Sequence, residues 1–360
     1  MKPDMITARR LTALSLLSLL PQAGGLFAAL TAEWAGAAGW LAPLPAALPT
    51  LGALFLLQSM YRRRPDEPLD RIVLSTLGPV VGRGVLGLAA LWCLLRGVLA
   101  LRLHGARGVG LLFPRTHPAG LMLLLLLVTL RAVRGRLSVL SRAGILCLLL
   151  VSAGLLLLYL PALPGARLEP LLPVGPADAP RLLRSIWPLA SLFGFAVLTN
   201  FLSGQVDDRA ETGRRGVLPL LFCAGTTALF LVFSYQVFGA ALTARTPEPF
   251  PAAAGSLSGP GGAARLAPLV LSLWSLCDFL HLALACLTAM SLLGAVTGRT
   301  NLRPLALPLH ILLFLGALAV PAGDTDLRAW AAALLPWGDS LLAFGLPPLV
   351  FLAGKLRKKL

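Results

Sequence analysis

Charged side chains are scarce in this chain: they make up 13% of 360 residues, with 15 Asp and Glu against 31 Lys and Arg. Soluble domains carry about 25% charged residues, so this share excludes one. A 57% hydrophobic composition and a mean hydropathy of +0.82 instead predict an all-α polytopic membrane protein. No GxxxxGK[ST] sequence occurs, which argues against ATP-driven pumping by this chain alone. The few cysteines, Cys93, Cys147, Cys223, Cys277 and Cys286, lie in apolar runs without CxxC spacing and read as small hydrophobes, neither a disulfide framework nor a metal site. His104, His117 and His310 stand at span ends far apart in sequence, so no metal constellation follows and no cofactor is expected. Asp207, Asp208 and Glu211 in SGQVDDRAETGRR would need a second acidic cluster to hold Mg²⁺ and a diphosphate for intramembrane transfer chemistry. None is present, so they read as a solvated loop and the chain as a non-enzyme.

What the sequence does contain is apolar runs. Bounded by charge, Pro and Gly, they predict about ten spans near 11–30, 36–58, 79–103, 118–133, 139–160, 185–203, 216–242, 266–294, 304–320 and 330–353. A formal charge of +16 would suggest nucleic acid in a soluble protein. Here the basic residues lie between spans and act as topology signals, with lipid as the surrounding partner and no nucleic acid. With the N-terminus inside, inner segments carrying Arg62, Arg63, Arg64, Arg131, Arg134, Arg136 and the cluster from Lys355 to Lys359 outweigh outer ones by more than two to one. That favours two cytoplasmic termini and an even number of spans. Arg9 and Arg10 before an apolar run give the N-terminus a signal-peptide shape as well, but the remaining chain is polytopic either way. The outer loops, roughly 161–184 and 243–265, are rich in Pro and Gly and hold no soluble domain.

The stretch LTALSLLSLLPQAGGLFAAL, Leu11 to Leu30, is long enough to span a bilayer but carries Pro21, Gln22, Gly24 and Gly25 near its middle. Two readings are open: a kinked but continuous packing helix, or a broken helix. In hydrocarbon, backbone freed by a break is tolerated only where it lines a cavity or meets a ligand.

Several local features, in order, resemble the spore germination permeases, the GerAB-type family of the amino acid–polyamine–organocation superfamily. ITARRLTALSLLSLLPQAGG resembles their polar leader and glycine-broken first helix, and LFPRTHP at 112–118 their proline-flanked turn before the fourth. RAVRGRLSVLSRAG at 131–144, with Gly135 and Arg142, is similar to the cytoplasmic stretch joining the fourth and fifth, and RLEPLLPVG at 167–175 to the outer segment before the sixth. The resemblance implies one permease-like domain over 1–360 with a LeuT-like 5+5 inverted repeat, repeat one about 7–160 and repeat two about 185–353, the first and sixth helices unwound around a midplane site. In the sixth span, IWPLASLFGFAVLTNFL, Gly194 between Phe193 and Phe195 marks the matching, softer break. The implied function is a spore nutrient-germinant receptor subunit in the spore inner membrane. It would bind an amino acid or similar small nutrient and signal to a membrane subunit with a cytoplasmic domain and to a lipoprotein. A secondary amino acid transporter on the same fold is the alternative. The run from Trp187 to Leu202 has no acid and the fifth span no lysine, departures that count against ion-coupled transport more than against binding.

On this reading Gln22, Ala23, Gly24 and Gly25 supply backbone donors for a carboxylate, and Phe193, Gly194 and Phe195 face them and cover an apolar side chain. Packing or lipid contact is the plainer role for the two phenylalanines. Asp278 and His281 lie three residues apart, on one helical face. They are either a proton- or amine-responsive pair or an interhelical hydrogen bond. Arg96, inside the third span, either snorkels outward or pairs with Asp278.

Overall fold

The computed structural model describes residues 5–162, 169–172, 174–256, 266–320 and 324–359. Parts of both expected outer loops, 163–168 and 257–265, lie outside the described residues. Thr7 opens the first segment by accepting a hydrogen bond from the Arg10 N–H at 3.3 Å. Helices α1 (Ala8–Leu17), α2 (Leu20–Gly24) and α3 (Leu26–Ala35) follow, and a 3₁₀ stretch carries the segment on to Leu41. The break expected at Pro21 to Gly25 is present. Gly25 leaves the helical region with φ −100° and ψ −106°, and Ala8–Gly24 and Leu26–Leu41 are bent by 60°.

Next come α4 (Pro43–Arg63), the short α5 (Leu69–Leu77) and α6 (Pro79–Leu111). Gly78, at φ +90°, turns the chain between the last two in a conformation that L side chains rarely adopt. Beyond them lie α7 (Pro118–Val133), α8 (Leu137–Ala162), α9 (Ala179–Phe193) and α10 (Phe195–Leu198), then 3₁₀ turns over Thr199–Gln205. The chain ends with α11 (Thr212–Arg245), the short α12 (Pro249–Gly255), α13 (Leu266–Thr297), α14 (Ala306–Ala319), α15 (Asp324–Ser340) and α16 (Leu346–Leu356). Among the described residues, seven helical stretches are long and apolar enough to cross a membrane, or eight with the bent first pair. Two more, Pro118–Val133 and Arg303–Ala319, are apolar but shorter. The chain is an integral membrane protein.

Two expected boundaries move. Residues 36–41 continue the first segment rather than opening the second, because α3 gives way at Gly36 to 3₁₀ turns instead of a loop. The third helix runs on to Leu111, since Arg102 and Arg107 are buried inside it rather than marking an outer loop. The sixth segment is interrupted only softly at Gly194, where α9 ends and α10 begins without a sharp bend. Gly194 keeps helical angles, φ −56° and ψ −21°, and its N–H donates to the Ala190 carbonyl at 3.0 Å. A lone glycine removes a side chain but no backbone donor, whereas Pro21 removes the donor itself.

α6 lies along α13, and α11 packs on α3 and α4. Of the most apolar window in 176–205, 72% is buried, against 28% for 137–160. The sixth segment is therefore central, while the fifth turns Leu146, Leu149, Leu150, Leu156 and Leu157 outward to lipid. The first and last described stretches are anchored at one end of the bundle, on either side of α5. Ile6 pairs with Val206 in an isolated parallel bridge, the Leu69 N–H donates to Ser203 Oγ at 3.0 Å, and Arg357 donates to the Thr76 carbonyl at 2.8 Å.

Asp208, read from sequence as a solvated loop residue, instead accepts the Ala8 N–H at 2.6 Å, anchoring the start of α1. Asp208→Ala is expected to cost about 1 kcal/mol, a typical loss for an N-terminal cap. The exposed Asp207 serves as the control, and equal shifts in the melting curves of Asp208→Ala and Asp207→Ala would remove this role.

Candidate functional site

Close approach explains the glycines at the break. A Cβ on Gly24 would stand 3.0 Å from the Trp274 ring and 3.1 Å from the Phe230 ring, and one on Gly25 would collide with the Glu248 carboxylate. Phe250 stacks on Trp274 with ring centroids 5.4 Å apart and lies 4.3 Å from Phe230, so aromatic rings cover this face. Gln22 and Ala23 are buried, and Gln22 Oε1 and Trp274 Nε1 have no hydrogen-bond partner among the described residues.

Glu248 belongs to a buried charged cluster drawn from three parts of the chain. Arg107 on α6 pairs with Glu248, just before α12, at 3.1 Å and with Asp278 on α13 at 2.8 Å, and His104 Nδ1 lies 2.9 Å from the same Asp278 oxygen. The side chains of Arg107 and Asp278 are almost fully buried and that of Glu248 is 12% exposed. A charge so placed is tolerable only when paired. Burial pushes the Glu248 carboxyl up to about 7, and Arg107 beside it limits the rise.

Two cavities meet at Arg107. One of about 290 Å³ is bounded by Leu26, Leu103, Leu111, Arg107, Glu248 and Arg328 among others. The second, about 170 Å³, is bounded by His104, Arg107, Trp274, Ser275 and Asp278 among others. The larger approaches the lower end of the range for small-molecule clefts, about 300 Å³.

The other expected residues form a separate buried chain of contacts. His281 Nδ1 lies 3.3 Å from Ser18 Oγ, and its ring lies 4.4 Å from that of Phe195. Arg96 sits 4.6 Å over the same Phe195 ring and pairs with Asp339 on α15, whose other oxygen accepts from Trp92 Nε1 at 2.8 Å. Arg96 thus takes neither of the two roles open to it, being buried and not paired with Asp278. Asp339 is the partner of Arg96, and Asp278 is held by Arg107 and His104. Although three residues apart, Asp278 and His281 take different partners. Phe193 and Phe195 are buried, and a Cβ on Gly194 would meet Ala343 and Phe344 rather than the first-segment break. Neither they nor Gln22 to Gly25 bound the larger cavity, which Leu26, the residue after the break, does.

Sequence reasoning missed Glu248, Arg107, His104, Trp92 and Asp339. Asp339 had a usable signal, since a carboxylate inside an apolar span demands a partner. Glu248, between Pro247 and Pro249 in a long connection, had none. Among the described residues no three His, Cys, Asp or Glu side chains are grouped as a metal ion would need.

Compared with known families, residues 10–320 match the family described as spore germination protein. No curated protein matches the chain.

Proposed function

The chain belongs to the spore germination permease family, and on that premise we propose that it is the permease-like subunit of a nutrient-germinant receptor, binding an amino acid or similar small nutrient. The observation that carries this reading is the first-segment break at Gly25, set against a buried charged cluster that borders a cavity of about 290 Å³. Opposite charges on one wall, Arg107 and Arg328 with Glu248, and apolar residues such as Leu26, Leu103 and Leu327 on the rest suit a small zwitterion. On this proposal Gln22 to Gly25 act through the break that sets Leu26 at the cavity, and Phe193 to Phe195 act through the packing of the sixth segment.

The full architecture on this proposal is one domain over 1–360, with repeats of about 7–160 and 185–353. The two shorter apolar helices cross as well, making ten spans, and both termini face the cytoplasm from the spore inner membrane. Residue 6, paired with Val206, and residue 357, bound to Thr76, are tied to the same end of the bundle through α5, which supports an even number of crossings. Signalling to the partner subunits requires that the nutrient favour one of two arrangements, by contacts that differ between them.

Proteoliposomes test this. Labelled amino acid should bind with no accumulation inside, whatever the ion gradient. A proton-coupled or facilitative transporter is the second reading, favoured by the near-neutral titration of Glu248; gradient-driven uptake would establish it and displace the receptor.

A further inference from the structure

The break in the first segment ends in a helix N-terminus at α3, where N–H groups and the helix dipole favour a negative charge. A ligand carboxylate is the expected guest, but the chain has already placed one of its own there. The Glu248 carboxylate stands where a side chain on Gly25 would be, and Arg107 holds it by one oxygen. Its second oxygen, Oε2, is buried without a hydrogen-bond partner among the described residues. In the same cluster two carboxylates, Glu248 and Asp278, share the one Arg107 guanidinium. The cavity these groups border also carries Arg328.

Resting on the nutrient-binding reading above, we propose that the break takes the ligand by its primary ammonium group, accepted by Glu248, and that Arg328 serves the ligand's carboxylate where it has one. The orientation is the reverse of the one in which bare backbone N–H groups hold the carboxylate. An ammonium supplies the partner that Glu248 Oε2 lacks. A carboxylate brought to the same place would face Glu248 at close range and be repelled. The apolar lining, Leu26, Leu103, Leu111 and Leu327, accommodates a short aliphatic side chain.

The sign of the pH dependence follows. The groups facing Glu248 are Arg107 on α6, Asp278 on α13, with His104 behind it, and Arg328 on α15. With its carboxyl pushed up to about 7, Glu248 is protonated below that pH and ionised above it. Ammonium binding should therefore strengthen about tenfold from pH 6 to pH 8, the change in the ionised fraction of such a group.

The test uses the full-length protein in lipid nanodiscs. L-alanine, L-valine and L-leucine are each measured beside their decarboxylated amine and their deaminated acid. For the amino acids that bind, the amine should compete and the deaminated acid should not. Glu248→Gln should weaken binding about tenfold or more, as for a lost charge-assisted contact, with Glu248→Asp retaining more of it. The inference is overturned if the deaminated acid competes as well as the amine, or if Glu248→Gln tightens binding, since Glu248 would then be standing in for the ligand's carboxylate. Should Glu248→Gln fail to fold, the competition series on the native chain decides alone. If none of the compounds binds the native chain, the nutrient-binding reading itself falls.

Discussion

A Gly25→Leu chain is expected to lose amino acid affinity by about tenfold to a hundredfold, the span of 1–3 kcal/mol that forced overpacking costs. Even the first carbon of the new side chain enters the volume of the Glu248 carboxylate, which Arg107 holds in place. Relief requires Glu248 to swing away, breaking its pair with Arg107 and opening the cavity wall, or the two halves of the first segment to part. Either movement displaces the groups that would grip a nutrient. Gly25→Ala should give a smaller loss: its methyl group also displaces the Glu248 carboxylate, all three atoms of which lie within 2.9 Å of a Cβ there, but it adds far less bulk than leucine. Gly52→Leu is the control: nothing lies within 4 Å of a Cβ there, and its affinity should match that of the parent. Equilibrium binding in nanodiscs, with melting curves to confirm the fold, measures all three. Parent-like affinity in Gly25→Leu would place the site elsewhere.

This expectation shows which parts of the molecule were legible beforehand. The first-segment break was, because Pro21 lacks a backbone donor and two adjacent glycines follow at positions 24 and 25. The sixth-segment break was borrowed from family likeness and rested on a single glycine; Gly194 does separate α9 from α10, but at φ −56° it keeps the segment straight enough to run as one span. Family membership was legible in the order of weak motifs, and the match over residues 10–320 agrees with it. The charged cluster was not. Arg107 follows a run that already contains Arg102, and a reading that ends spans near charges stops at about 103, short of Arg107, although both arginines are buried within α6. Glu248 looked like a loop residue because a sequence cannot show that a long connection folds back, through α12, onto a break more than 200 positions earlier. Local chemistry sets helix breaks, whereas the partner of a buried charge is set by tertiary packing.

The same distinction makes the Arg96–Asp339 pair the place where a single substitution should cost most stability. Both side chains are almost fully buried, and the Nε and Nη2 atoms of Arg96 have no hydrogen-bond partner among the described residues. Asp339→Ala would leave a guanidinium inside the bundle with only the Phe195 ring beneath it. Removing one member of a buried pair costs about 3–5 kcal/mol, most of it the isolated charge that remains. Arg96→Met should be costly in the same way, leaving Asp339 with only the Trp92 N–H. The double variant Arg96→Met with Asp339→Leu should recover most of the loss, because two apolar side chains need no counter-charge. A double-mutant cycle read from melting curves in detergent therefore predicts strong coupling; independent, additive losses would mean that the pair does not hold α6 to α15. The pair also touches Phe195, whose ring packs at a tilt against His281, which in turn meets Ser18 ahead of the first-segment break. A double variant that folds yet binds amino acid more weakly would show that this line of contacts, reaching from the last segment to the first, helps set the shape of the break.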